Sequence, residues 1–138
     1  MDLKINKKQR GNGFLIIALA VLFLDQAFKF AALRNFGGLQ LNRNYNSWLG
    51  LGANLYLALL FFLAVFIYFK KDRLRKSDSS IKFAVALSLG GIISNSADMF
   101  FYGYIIDYIA FSKLFSFNIS DLAIGAGALI LGWKVLGK

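Results

Sequence analysis

The chain alternates long apolar runs with short clusters of basic residues. Four runs come close to the roughly 20 mostly apolar residues that a helix needs to cross the hydrocarbon of a bilayer. They are Phe14 to Leu33, Asn54 to Phe69, Ile81 to Tyr102 and Ile119 to Leu136. The pattern predicts four transmembrane helices. The second and fourth runs are short, so they are expected to stand nearly upright or to borrow interfacial residues. The fourth contains A123-I-G-A-G-A128, small residues that suit a packed bundle helix better than a lipid-facing one. Four spans leave no room for a soluble domain, so residues 1–138 are expected to form a single integral membrane domain.

Between the runs, charge is clumped and mostly of one sign. Lys4, Lys7, Lys8 and Arg10 precede the first run. Lys70, Lys71, Arg73, Arg75, Lys76 and Lys82 lie around the second connection, and Lys134 and Lys138 end the chain. The other two connections carry only Arg34, Arg43 and Lys113. The positive-inside rule therefore predicts both termini in the cytoplasm. The net charge of +9 is explained by this topology, with attraction to anionic lipid as a by-product; it calls for no nucleic acid. Basic residues followed by A18-L-A20 imitate a cleavable signal peptide, but the apolar run continues beyond that point, as in an uncleaved anchor.

Composition narrows the chemistry. The chain is 58% hydrophobic and 17% charged, with no Cys, His or Pro, where a soluble domain has about a quarter of its residues charged. Thiolate and imidazole catalysis and the usual zinc ligands are excluded, and no cofactor or metal is expected. Acid–base work falls to Asp, Lys or Tyr.

All seven acidic residues are Asp. Asp2, Asp72 and Asp78 sit among the basic residues of the predicted cytoplasmic side and look like solvated charge. Asp25, Asp98, Asp107 and Asp121 fall in the outer half of the membrane or at its outer surface. Asp25 and Lys29 share a helix face. Asp25 is expected roughly 16 Å in from Phe14, near mid-bilayer, with Lys29 able to snorkel outward. Such groups are costly in lipid and should face the bundle and pair. Asn95 and Asp98 are three residues apart, as are Asn118 and Asp121. A plainer account treats Asn118 or Ser120 as a helix cap, Asp121 as a favourable first-turn charge, and Asp25–Lys29 as structural glue.

Aspartates alone can hydrolyse a peptide. Two carboxylates that share a proton provide one base to activate water and one acid to polarise the carbonyl. The aromatic-rich stretch from Tyr104 to Phe117 places Asp107 at headgroup level. A partly dry site there raises the pKa of one member of such a pair.

The polar residues fall into an ordered series of motifs. These are D25-Q-A-F-K29, R43-N-Y-N-S-W-L-G50, G90-G-I-I-S-N-S-A-D-M99, G103-Y-I-I-D-Y108 and F117-N-I-S-D121. In this series the chain resembles the type II, or lipoprotein, signal peptidases from about Leu15 to Trp133. Their pattern reads D-Q-x-x-K, R-N-x-G-x-A-F-G, G-G-x-x-x-N-x-x-D-R, G-Y-V-V-D-F and F-N-x-A-D. The resemblance implies a four-helix transmembrane bundle with a small β-cradle and an amphipathic element on the extracytoplasmic face, residues 35–52 forming part of it. It implies Asp107 and Asp121 as the catalytic dyad, with Asp25, Lys29, Asn44, Asn95, Asp98 and Asn118 supporting or lining the site. The implied substrate is a diacylglyceryl-modified prolipoprotein, cut on the N-terminal side of its lipidated cysteine. The implied setting is the bacterial inner membrane, with lipid and the signal peptide as partners and a monomer as the working unit. The chain departs from the pattern in having Met99 for Arg, Asn46 for Gly, Trp48-Leu49 for Ala-Phe and Ser120 for Ala. Met99 keeps open a non-catalytic signal-peptide-binding relative. An ion or proton carrier and a Ser–Lys protease using Lys29 with Ser47, Ser94 or Ser96 are further alternatives.

Overall fold

The computed structural model describes residues 9–35, 41–44, 78–112 and 115–136. The expected span from Asn54 to Phe69 lies outside them, as do Asn46, Ser47 and Trp48. The described chain runs α1 (Gln9–Leu33), β1 (Asn42–Asn44), α2 (Ser79–Tyr102), β2 (Ile105–Asp107), β3 (Ile109–Ser112), β4 (Phe115–Phe117) and α3 (Ile119–Leu136). Three of the four expected spans are thus helices at or near their predicted limits. Gly13–Leu33 and Ser79–Tyr102 are each long and apolar enough to cross a membrane. The 18 residues of α3 reach about 27 Å at 1.5 Å per residue.

The surface is apolar where a soluble protein would be polar. Leu15, Ile16, Phe23 and Phe30 stand exposed on α1, Phe100 and Phe101 on α2, and Leu129 and Trp133 on α3. The buried stripe of α1 is Ala18, Val21, Asp25, Lys29 and Ala32, at the three- and four-residue steps of one helix face. It starts apolar and turns ionic. An apolar cluster of Ile81 and Val85, with Phe14, Leu89 and Leu131 packed on it, occupies the other end of the helices.

Glycine brings the helices close enough for the polar groups to meet. A Cβ on Gly90 would lie 2.5 Å from the Ala18 carbonyl oxygen of α1, and one on Gly91 2.5 Å from the Ser120 carbonyl oxygen of α3. Gly127 is pressed in the same way against the Ala84 carbonyl and the Ser88 hydroxyl of α2. Small residues permit such backbone approach. Asp78 caps α2, its side chain accepting the Ser80 N–H. The other end stops at Gly103, whose φ of 74° is left-handed and whose N–H bonds the Met99 carbonyl, a conformation that glycine adopts without a Cβ clash.

That turn feeds directly into β2. Strand β1 pairs antiparallel with β2, Asn42 opposite Asp107 and Asn44 opposite Ile105. Strands β3 and β4 form a second antiparallel pair, with a bulge between Ala110 and Ser112. The aromatic-rich segment after α2 is therefore strand, and it carries Asp107 back across the ends of the helices.

Candidate active site

The site grows from one carboxylate on α1. Asp25 is fully buried and accepts from three hydroxyls: Ser94 at 2.7 Å, Tyr108 at 2.8 Å and Ser120 at 2.6 Å. It also accepts the Ser120 N–H at 3.3 Å. One turn along, Lys29 Nζ lies 2.6 Å from Asp25 Oδ2, 2.7 Å from Asp98 Oδ2 and 2.8 Å from Asn95 Oδ1. The inward facing and pairing expected of Asp25 and Lys29 are seen, without the outward snorkelling allowed for Lys29. Lys29 is 1% exposed, because its three N–H groups find three acceptor oxygens inside the protein, which outweighs a reach to water.

Asp98 joins α1, α2 and β2. Gln26 Nε2 donates to its Oδ1 at 3.0 Å, and Lys29 and the Ile106 N–H, at 3.1 Å, share its Oδ2. Gln26 also reaches the Ser94 hydroxyl and carbonyl. Met99 supplies no donor, yet Asp98 is satisfied without it. The bond to Ile106 N–H holds β2 against α2 and so places the next residue, Asp107.

Asp107 is buried. Its Oδ1 accepts from Asn118 Nδ2 at 2.9 Å and its Oδ2 from Asn44 Nδ2 at 3.2 Å and Ser116 Oγ at 3.4 Å. Asp121, in the first turn of α3, accepts Asn95 Nδ2 at 2.9 Å on Oδ1 and the Asn118 N–H at 3.2 Å on Oδ2. The Asn118 side-chain oxygen in return accepts the Asp121 N–H at 2.9 Å, a reciprocal cap of the kind that satisfies orphan donors at helix starts. The capping account of these residues therefore holds, and the same Asn118 also contacts Asp107. One amide side chain links the Asp107 carboxyl to the backbone of Asp121.

Burial, and then the negative charge of Asp121, push the Asp107 carboxyl up to about 6. Burial likewise drives the Tyr108 hydroxyl well above the usual tyrosine range, so it stays protonated and donates to Asp25. In this one network four carboxylates face a single ammonium among the described residues.

All eight residues expected at the site are thus joined by hydrogen bonds or ion pairs. Sequence reasoning passed over Gln26, Tyr108, Ser116 and Ser120 as site members and weighed Ser94 only as a nucleophile. Gln26 lies within the first motif. Ser94 is one helical turn before Asp98, and Tyr108 and Ser120 each flank a singled-out acid. The Ser–Lys alternative fits poorly: the Ser94 hydroxyl donates to Asp25, and the Lys29 nitrogen has the three-acceptor surroundings of an ammonium, which has no lone pair to act as base.

A family model described as Signal peptidase (SPase) II matches residues 17–137. The lipoprotein signal peptidase of Moorella thermoacetica is 30% identical over 143 positions, spanning 89% of this chain and 92% of its own. That of Polynucleobacter necessarius is 29% identical over 157 positions, spanning 91% and 90%. A bacterial membrane enzyme solved by the in meso method at 2.3 Å overlays with a TM-score of 0.72 at 20% identity, across 91% of this chain and 88% of that one. A second, at 1.9 Å, gives 0.72 at 18% identity, across 91% and 93%. These two share its fold.

Proposed function

The chain belongs to the signal peptidase II family, and on that footing we propose that it removes signal peptides from diacylglyceryl-modified prolipoproteins, with Asp107 and Asp121 as an aspartic dyad. The observation that carries this reading is the Asn118 side chain, bonded to both acid-bearing segments, together with the raised Asp107 carboxyl. In this reading one carboxyl of the pair carries the proton while the other is ionised.

The ionised member takes a proton from a water molecule, whose oxygen attacks the scissile carbonyl on the N-terminal side of the lipidated cysteine. The protonated member donates to the carbonyl oxygen as it becomes negative. As the tetrahedral carbon collapses, the C–N bond breaks and the departing nitrogen receives the proton that came from water. Asn44, Asn95 and Asn118 aim the carboxylates; Asp25, Lys29 and Asp98 fix the frame behind them. No metal or cofactor is needed for these steps.

We read the chain as a monomeric four-helix membrane domain of the bacterial inner membrane. The apolar run from Asn54 to Phe69 is the expected fourth span of this reading, with both termini cytoplasmic and the dyad on the extracytoplasmic side. The exposed apolar helix faces and the distribution of Lys and Arg support this arrangement. Acyl chains of the substrate then lie in lipid beside a signal-peptide helix.

The test is cleavage by purified protein of a lipidated prolipoprotein peptide beside its unlipidated counterpart. Only the first is cut, and Asp107→Asn or Asp121→Asn abolishes the cut while the variant stays folded. Met99, in place of the motif arginine, favours the one competing reading, a signal-peptide binder. Wild-type protein that binds the lipidated peptide and leaves it whole would establish that reading instead.

A further inference from the structure

The family pattern has Phe immediately after the first dyad acid and Ala immediately before the second; this chain has Tyr108 and Ser120 at those places. Both added hydroxyls go to the same carboxylate. Tyr108 Oη donates to Asp25 Oδ1 at 2.8 Å, and Ser120 Oγ donates to Asp25 Oδ2 at 2.6 Å. Tyr108 Oη also accepts the Ile119 N–H at 3.2 Å. The neighbour of one acid thus touches the start of the helix that carries the other. Tyr108, Ser120 and Asp25 are all buried, so a lost partner is not readily replaced by bulk water.

The two acids lie on separate segments, Asp107 at the end of β2 and Asp121 in the first turn of α3. Strand pairing fixes the first segment locally and the cap fixes the second, and the Asn118 side chain joins them on one side. Asp25 reaches both, and is itself anchored by Lys29 on α1 and Ser94 on α2. We infer that Asp25 is a clamp on the dyad, gripping the residue beside each aspartate, and that the Tyr108 and Ser120 hydroxyls are positioning groups for hydrolysis. This rests on the dyad reading above.

Each hydroxyl can be removed cleanly. The Tyr108 ring stacks on Phe28, with centroids 5.7 Å apart and planes 13° from parallel, so Tyr108→Phe keeps the ring in place. Ser120→Ala leaves its N–H on Asp25. Misplacing reacting groups by about 1 Å costs roughly 100-fold in rate. Each single variant therefore loses kcat by roughly 3- to 10-fold and the double variant by roughly 100-fold, with KM held within about twofold.

The experiment measures kcat and KM on a lipidated prolipoprotein peptide, beside the melting temperature of each variant in the same detergent. Val85→Ala serves as the stability control, since Val85 is buried in the apolar cluster away from the site. It lowers the melting temperature and keeps kcat. A double variant with wild-type kcat overturns the clamp, as does a loss of kcat that Val85→Ala reproduces at matched melting temperature. Asp107→Asn separates the two layers of the argument. If it cleaves normally the dyad reading falls; if it is dead beside an unimpaired Tyr108→Phe/Ser120→Ala double variant, only the clamp does.

Discussion

Lys29 and Asp25 show how far single residues can be read. Their four-residue spacing implies a shared face, and the ion pair follows. Where the ammonium ends up did not follow, because Asp98 and Asn95 arrive from a helix more than 60 residues later, and acceptors on another element decide whether a lysine stays inside. Asp107 gives a pH signature at the same scale. Its proton leaves near pH 6 in the folded protein and near 3.8 in the reference state. Between those values the folded state holds more protons, so this group makes stability fall as pH rises through the window. Asp107→Asn removes that slope. Thermal unfolding in detergent from pH 4 to pH 7 is expected to show the variant gaining on wild type as pH rises. A constant difference would mean that Asp107 is not held in its neutral form.

Among the elements, the helices were legible and the strands much less so. Long apolar runs specify spans through length alone, and α3 starts and stops at its predicted limits. The segment from Ile105 to Phe117 was legible only as amphiphilic, since its strands are three or four residues long and β2 depends on pairing with β1 from far away in sequence. The contact between α2 and α3 yields a prediction here. Gly91→Ala places a methyl against the Ser120 carbonyl and Ile124, and backbone cannot yield as a side-chain tip does. We expect destabilisation of about 1–3 kcal/mol and a loss of cleavage, because Ser120 adjoins Asp121. Activity at the wild-type level would show that the helices separate without disturbing the acids.

Across the whole molecule, polarity is sorted by position along the helices. Among the described residues, one end gathers the buried ionisable groups; the other holds the Ile81–Val85 cluster and, at its edge, an exposed ion pair between Asp78 and Lys134. Lys134 holds the Asp78 carboxyl down to about 2, but an exposed pair of this kind is screened by water and salt. Lys134→Ala is expected to leave cleavage within about twofold of wild type, measured at low and high salt. A larger loss would couple the two ends. The sequence by itself determined the apolar spans and their polar interruptions, because hydropathy and helical spacing are local properties. It also delivered the residue types and order by which the family is recognised. Tertiary structure alone decided that Asn118 ties Asp107 to the start of α3, that Lys29 meets Asp98 and Asn95, and that Tyr108 and Ser120 meet on Asp25. Those contacts join side chains far apart in sequence, and their distances exist only once glycine has let the helices close.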